Sequence, residues 1–328
     1  MANFKTLIIG CGKIAGNNLF LGSDTHATAL FSIKTISLLA CMDKNLEKAL
    51  KFSSKYKCKP YNNLKIAFKE NKFDIVSICT PDSTHFSITL KVIELVNPPK
   101  VIFLEKPACR TLKEYYELKN KCKKKNILLV VNQTYRFNKK LIKIKNLIKA
   151  QNFGKLKKVN SIYYGGWFHN GAHLVDIISF LLNDVILFKK IINIQTGLLK
   201  KDPSLDILGN MKKNSASVSF TSIDERIYQI FDIDLWFKLG RIRIENFGNQ
   251  VTLSKMKINS LGEKILVPTN IKFSDSKKSE MQIAYEQISK YLKTKKIGNL
   301  EHVKIESLEN TMLMLCQGEK IYLKKPNI

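Results

Sequence analysis

The most restrictive feature of the sequence is a short apolar run that stops in glycines. Lys5 to Ile9 reads as a strand and ends in Gly10-Cys11-Gly12-Lys13-Ile14-Ala15, a G-x-G-x-x-G/A pattern with Gly16 one place later. Gly10 permits a tight turn, Gly12 lets the backbone approach a pyrophosphate, and Ala15 is small enough for the next helix to pack on the strand. The N–H groups at the start of that helix face the anion. A strand, a glycine turn and a helix in that order point to a parallel α/β sheet. They mark Gly10, Gly12, Lys13 and Ile14 as candidate dinucleotide contacts.

The second strand, Ile36 to Met42, ends at Asp43. An acidic side chain there accepts from a ribose 2′-hydroxyl and repels a 2′-phosphate, so NAD is favoured over NADP, with neighbouring Lys44 pulling the other way. Asp43 also suits the cap of a helix over Lys44 to Lys55. Ala15 and Asp43 stand further apart than the roughly 20 residues usual for this motif. Gly22-Ser23-Asp24-Thr25 reads as an extra turn that absorbs the excess.

Phe73 to Cys79 reads as another strand, stopped by Thr80-Pro81, with Asp82 or Ser83 capping a helix that carries His85 in its first turn. Val101 to Leu104 reads as a buried parallel strand ending in Glu105-Lys106-Pro107. Ligands of open α/β sheets lie beyond the carboxyl ends of the strands. Lys106 is therefore placed to meet a reacting oxygen, and His85 to lie beside a bound cofactor; the plain alternatives are a charged turn and a helix-start histidine. Ile127 to Val131 reads as the last strand, ending at Asn132, and completes a doubly wound domain over residues 1–131.

A chain of 328 residues is long enough for a second domain, here 132–328. No apolar run approaches the ~18 residues of a membrane span, and the densest stretch, Leu174 to Phe188, is broken by Asp176, Asn183 and Asp184. Met1 to Ile9 suits a first strand better than a signal peptide. Seven cysteines without any C-x-x-C read as buried hydrophobes of a reducing compartment, so a cytoplasmic protein is expected. The net charge of +28 comes from 55 cationic residues of which five are arginine. Base readout and bidentate phosphate recognition favour arginine. The spread of lysine over nearly every polar face resembles a compositional bias, so no specific nucleic-acid partner is expected.

Taken together, Gly10 to Ala15, Cys79-Thr80-Pro81, Glu105-Lys106-Pro107 and Asn132-Gln133-Thr134-Tyr135-Arg136-Phe137 resemble the glucose–fructose oxidoreductase / inositol dehydrogenase / rhizopine catabolism (Gfo/Idh/MocA) family. The resemblance implies an N-terminal Rossmann doubly wound parallel sheet plus a C-terminal α+β domain with a largely antiparallel open sheet. It implies an NAD(P)-dependent oxidoreductase acting on CH–OH groups of a sugar or nucleotide-sugar, in surface polysaccharide biosynthesis, and a homo-oligomer formed through the C-terminal sheet. Thr80, Pro81, Glu105 and Asn132 join the cofactor contacts, and Lys106 touches both nicotinamide and the reacting hydroxyl, with a cis peptide before Pro107. Tyr135, Arg136 and Asn170 join the substrate contacts.

Further on, Gly165-Gly166-Trp167-Phe168 leads into His169-Asn170-Gly171-Ala172-His173-Leu174-Val175-Asp176. If that segment is helical, His169, His173 and Asp176 share one face. Three readings fit such a face: a metal site, which lacks the glutamate of H-E-x-x-H; packing histidines; and the family's acid/base histidine, which His173 matches. His169 stands where relatives carry an aspartate and is taken to position the sugar. Trp167 is taken as an apolar platform for a sugar face. Strand-like alternation over Leu156 to Tyr164, Ser215 to Ser222, Ile227 to Phe237, Gly240 to Phe247 and Gln250 to Met256 supplies the second sheet, and Lys278 to Leu292 and Val303 to Leu323 read as closing helices. Lys106 and His173 are expected to converge on one sugar oxygen. Two other classes remain open on the sequence: a cofactor-binding sensor that has lost its chemistry, and a polyanion-binding protein supported by the charge alone.

Overall fold

The computed structural model describes residues 3–16, 24–198, 201–274 and 276–324. By their contacts they fall into two units, Met1–Phe137 with Lys277–Leu308, and Asn138–Ser276 with Glu309–Ile328.

The first unit is built on β1 (Phe4–Ile9), β2 (Ile36–Met42), β3 (Lys59–Tyr61), β4 (Ile75–Ile78), β5 (Val101–Leu104) and β6 (Leu128–Val131). They pair in the order β3-β2-β1-β4-β5-β6, every pair parallel. β4 and β5 are buried along their whole length, which is why they read as unbroken apolar runs. The strand order reverses between β1 and β4, so the carboxyl ends of these two strands open the crevice where such sheets take ligands.

The glycine turn is followed, among the described residues, by the helix His26–Phe31. The N–H groups of His26 and Ala27 donate to the carbonyls of Ile14 and Ala15, at 3.1 and 2.9 Å. These bonds hold the start of the His26–Phe31 helix against the end of the glycine turn. Gly22 and Ser23, part of the expected extra turn, lie outside the described residues; Thr25 is the N-cap of the His26–Phe31 helix. The Glu280–Thr294 helix packs with this first unit, burying Met281, Ala284, Tyr285 and Ile288. Sequence order alone assigns it to the second domain, since nothing local reports that the chain returns.

The second unit carries β7 (Leu156–Tyr164), β8 (Ile186–Gln195), β9 (Ser204–Met211), β10 (Ser217–Ile223), β11 (Asp232–Phe237), β12 (Gly240–Glu245), β13 (Gln250–Ile258) and β14 (Lys264–Pro268). The order is β14-β13-β12-β11-β7-β10-β9-β8, antiparallel except where β10 runs parallel to β7. Burial alternates residue by residue in β11 and β12, as a sheet with one covered face requires. The helices of this unit are Lys139–Lys149, Ala172–Leu182 and Glu309–Leu323. No helix among the described residues is long and apolar enough to cross a membrane. The seven cysteines are free thiols, all buried but Cys316. Burial pushes the Cys122 thiol up to about 12, away from the reactive thiolate.

Candidate active site

The glycine turn has two glycines for two different reasons. Gly10 has φ 91°, and a Cβ there would lie 2.9 Å from the carbonyl carbon and oxygen of Cys79. Its N–H donates to Met42 O at 2.7 Å, and Cys79 N–H donates to Ile9 O at 2.7 Å, so the turn is locked against the ends of β2 and β4. Gly12 is different: among the described residues, its chain neighbours aside, a Cβ there would meet no atom within 4 Å. Nothing among the described residues requires a glycine at Gly12, whereas a ligand pressed against the backbone would. Ile14 beside it is 39% exposed, an apolar side chain at the mouth of the same turn.

Asp43, at the carboxyl end of β2, faces this turn. Its Oδ2 accepts from Cys11 N–H at 2.9 Å and its Oδ1 from Asn45 N–H at 3.0 Å. A carboxylate has about four lone-pair positions, so two bonds leave room for ribose hydroxyls. The open volume over Gly12, exposed Ile14 and this half-satisfied carboxylate together fit a dinucleotide. Gly12→Ala is therefore expected to leave the melting temperature unchanged or slightly raised, while NADH affinity falls about tenfold or more, roughly 1.4 kcal/mol. Titration of NADH fluorescence alongside a melting curve checks this, and unchanged affinity would remove Gly12 from the cofactor contacts.

Lys106 follows β5 and is half-buried, with a cis peptide to Pro107. Glu105 before it is buried and held on several sides: its N–H donates to Ile78 O at 3.0 Å, and its Oε1 accepts from Asn132 Nδ2 at 2.6 Å and contacts His26 Nε2 at 2.8 Å. Burial pushes the Glu105 carboxyl up, but the His26 bond and charge, the Asn132 bond and the Lys106 charge outweigh it, and the net direction is down. Glu105 and Asn132 therefore brace the strand ends from within. Thr80 is half-buried and Pro81 exposed at the end of β4, with Thr80 Oγ1 bonded to Thr84 Oγ1 at 2.9 Å.

His85 does not present itself to a cofactor. It is buried, with Nδ1 2.6 Å from Pro107 O and Nε2 2.8 Å from Thr80 O. It clamps the turn after β4 to the turn after β5, which corrects the expected cofactor contact. Arg136 is likewise a brace and not a displayed substrate contact: it is buried, and its Nη1 donates to His302 O at 2.6 Å. Tyr135 beside it is half-buried.

In the second unit, Gly166–Gly171 forms a π-helical turn that feeds the Ala172–Leu182 helix. Asp202, unremarked in the sequence, sets this turn: its carboxylate accepts from the N–H groups of Phe168 and His169, both at 2.8 Å. Gly166 at φ 63° makes room, since a Cβ there would lie 2.4 Å from Asp202 Oδ2. His169 is exposed and His173 half-buried, but Asp176 is buried and accepts from Thr311 Oγ1 at 2.8 Å. The three do not share one open face, because the wider π turn rotates His169 relative to a regular i, i+4 position. Among the described residues no group of three His, Cys, Asp or Glu side chains could hold a metal ion. Asn170 is buried and hydrogen-bonded to Tyr164.

Trp167 is core, not a platform. It is 2% exposed, its Nε1 donates to Leu315 O at 2.9 Å, and its ring packs on Tyr163, Phe188 and Phe220. Cβ atoms at Gly171 and Gly318 would lie 2.9 and 2.5 Å from the indole, so two glycines form the slot that receives it.

A six-stranded parallel sheet with a ligand-ready glycine turn, joined in one chain to a unit with a mostly antiparallel sheet, defines an NAD(P)-binding oxidoreductase of the Gfo/Idh/MocA fold. Residues 4–133 match the model of GFO_IDH_MocA, the oxidoreductase family with an NAD-binding Rossmann fold. Oxidoreductase P35 of Formosa agariphila is 22% identical over 274 residues, covering 76% of this chain and 81% of the relative. The WlbA dehydrogenase of Bordetella pertussis, solved with NADH and UDP-GlcNAcA, superposes with a TM-score of 0.77 at 14% identity, covering 99% of this chain and 100% of that one. A super-repressor mutant of Gal80p from Saccharomyces cerevisiae superposes with a TM-score of 0.73 at 15% identity, covering 98% of this chain and 95% of that one.

Proposed function

We propose that the chain is a dehydrogenase that moves a hydride between nicotinamide and a CH–OH carbon of a sugar or nucleotide-linked sugar, with NAD preferred to NADP. The observation that carries this reading is Lys106: a half-buried cation at the carboxyl end of β5, braced by a buried carboxylate, on a sheet whose glycine turn leaves open space over Gly12. The UDP-sugar acid in the WlbA complex supports the substrate class.

The dinucleotide, when bound, supplies the hydride acceptor or donor. Gly10 and Gly12 shape the turn that would hold its pyrophosphate, and Asp43 would accept from its ribose. Lys106 donates a hydrogen bond to the reacting hydroxyl oxygen. His173, half-buried near the start of the Ala172–Leu182 helix, would take up the hydroxyl proton in the oxidative direction. His169, exposed on the preceding turn, positions the sugar. Large apolar side chains exposed on β7, β8 and β9 (Ile162, Leu187, Ile192, Leu208) support assembly of copies through the open sheet. The cellular role would be in the cytoplasm, in making surface polysaccharide.

Crystals soaked with NAD and, in turn, UDP-, GDP- and CMP-sugars test cofactor and substrate class together. Density for both ligands is the expected result; a turn that admits no dinucleotide would overturn it. A second reading, an NAD(H)-binding sensor without chemistry, draws on His169 in place of an acid and on the repressor Gal80p of the same fold. Tight NADH binding without oxidation of any sugar in the panel would favour it.

A further inference from the structure

Behind Lys106 the first unit buries a line of polar side chains that the proposed chemistry has not used. Ser77 in the middle of β4 lies 2.6 Å from the Tyr285 hydroxyl, which lies 2.6 Å from His26 Nδ1. His26 Nε2 reaches Glu105 Oε1 at 2.8 Å, the same oxygen that accepts from Asn132 at 2.6 Å. Ser77, Tyr285 and His26 are each 0% exposed, among the apolar residues of the sheet. Proton positions follow from the acceptors. A carboxylate only accepts, so Nε2 carries the hydrogen that meets Glu105, and the Tyr285 hydroxyl bridges Nδ1 and Ser77. The line ends on Glu105, which accepts from both His26 and Asn132.

Such a line is an expensive way to hold two helices on a sheet. Buried ionic groups contribute little net stability, and well-packed apolar side chains of the same volume serve as well or better. What apolar packing cannot supply is a fixed negative charge next to a lysine. The Lys106 charge is among the influences that lower Glu105, and such coupling is reciprocal, so Glu105 must favour the charged form of Lys106. The other titratable groups around Glu105 are Asp24, Cys79 and Tyr285. Burial pushes Cys79 and Tyr285 well up, so both stay neutral at neutral pH; burial also moves Asp24 up, against its bond to Ser279.

We propose that His26 is a positioning residue for Lys106: it holds the Glu105 carboxylate in place and ionised, and that charge keeps Lys106 an ammonium, a hydrogen-bond donor to the reacting oxygen. This rests on the reading of Lys106 given above and sharpens it. A bound oxidised nicotinamide is cationic and disfavours an ammonium beside it; Glu105 offsets that effect. Proton acceptance then belongs to His173, and Lys106 orients and polarises.

The test requires no identified substrate. Competitive acetylation of the full-length protein, read at Lys106 by mass spectrometry across a pH series, gives the titration midpoint of that one amine. Glu105→Gln and His26→Phe are each expected to lower the midpoint by about one pH unit. His26→Gln, which keeps an N–H for the carboxylate, is expected to recover at least half of the shift. Melting curves and NADH titrations on the same samples separate folding from charge. A staple with no electrostatic role would lower the melting temperature and leave the midpoint where it was; that result, or a His26→Phe shift that His26→Gln does not reduce, overturns the proposal. If His26→Phe fails to fold, the near-isosteric Glu105→Gln decides. Full turnover in Lys106→Met would instead overturn the reading of Lys106 itself, whatever the midpoints show.

Discussion

Replacement of Lys106 by methionine is expected to leave dinucleotide affinity within a few-fold of wild type and to lower turnover about a hundredfold or more. Methionine keeps the length and apolar stem of lysine and removes only the ammonium. The strand that carries the residue is held from behind by bonds that do not involve that ammonium: Glu105 N–H to Ile78 O, and Asn132 N–H to Leu104 O at 2.7 Å. The turn and the glycine crevice should survive the change. What is lost is a hydrogen bond to an oxygen that gains negative character as its proton leaves. Interactions made mainly in the transition state appear in kcat, so a fall in kcat with little change in the NADH dissociation constant is the signature.

Replacement of Trp167 by alanine is expected to be the most damaging change to stability in the second unit. A fully packed indole lost from a core removes about 3–5 kcal/mol. Leu315 O also loses its donor, and the slot formed by Gly171 and Gly318 is left without the ring it fits. At the size of this unit the melting temperature should fall by roughly 10 °C. Had Trp167 been a platform for a sugar, the same change would raise KM and leave the melting curve alone. Differential scanning fluorimetry beside a KM measurement separates the two outcomes.

Much of the first unit was legible from sequence because its signals are local. The unbroken apolar runs of β4 and β5 identify buried parallel strands, and the residues that follow them mark the sheet edge. The last helices were also legible as helices, but not the return of Glu280–Thr294 to the first unit, since its partners are far away in the chain: Tyr285 meets His26 across 259 positions and Ser77 across 208. The same distance hid His26 as a partner of Glu105. In the second unit, β8 and β9 were missed. Their register shifts between Phe188 and Lys190 and again between Ile191 and Asn193, which breaks the two-residue period that reveals a strand. Trp167 was read as a ligand contact because it follows two glycines, His85 because its helix starts at the sheet edge, and Arg136 because the family resemblance implied it. Burial assigns them to the frame instead. Asp202, some 33 positions after His169, carried no motif at all, yet it sets the turn that presents His169.

The most direct measurement follows nicotinamide absorbance when the protein is mixed with NAD⁺ and each member of a UDP-, GDP- and CMP-sugar panel. For at least one sugar, the wild type should reduce the dinucleotide. Lys106→Met and His173→Ala should each lose about a hundredfold or more of that rate while holding NADH within a few-fold of wild-type affinity. Undiminished turnover in either variant, or tight NADH binding with no reduction across the whole panel, would contradict the account.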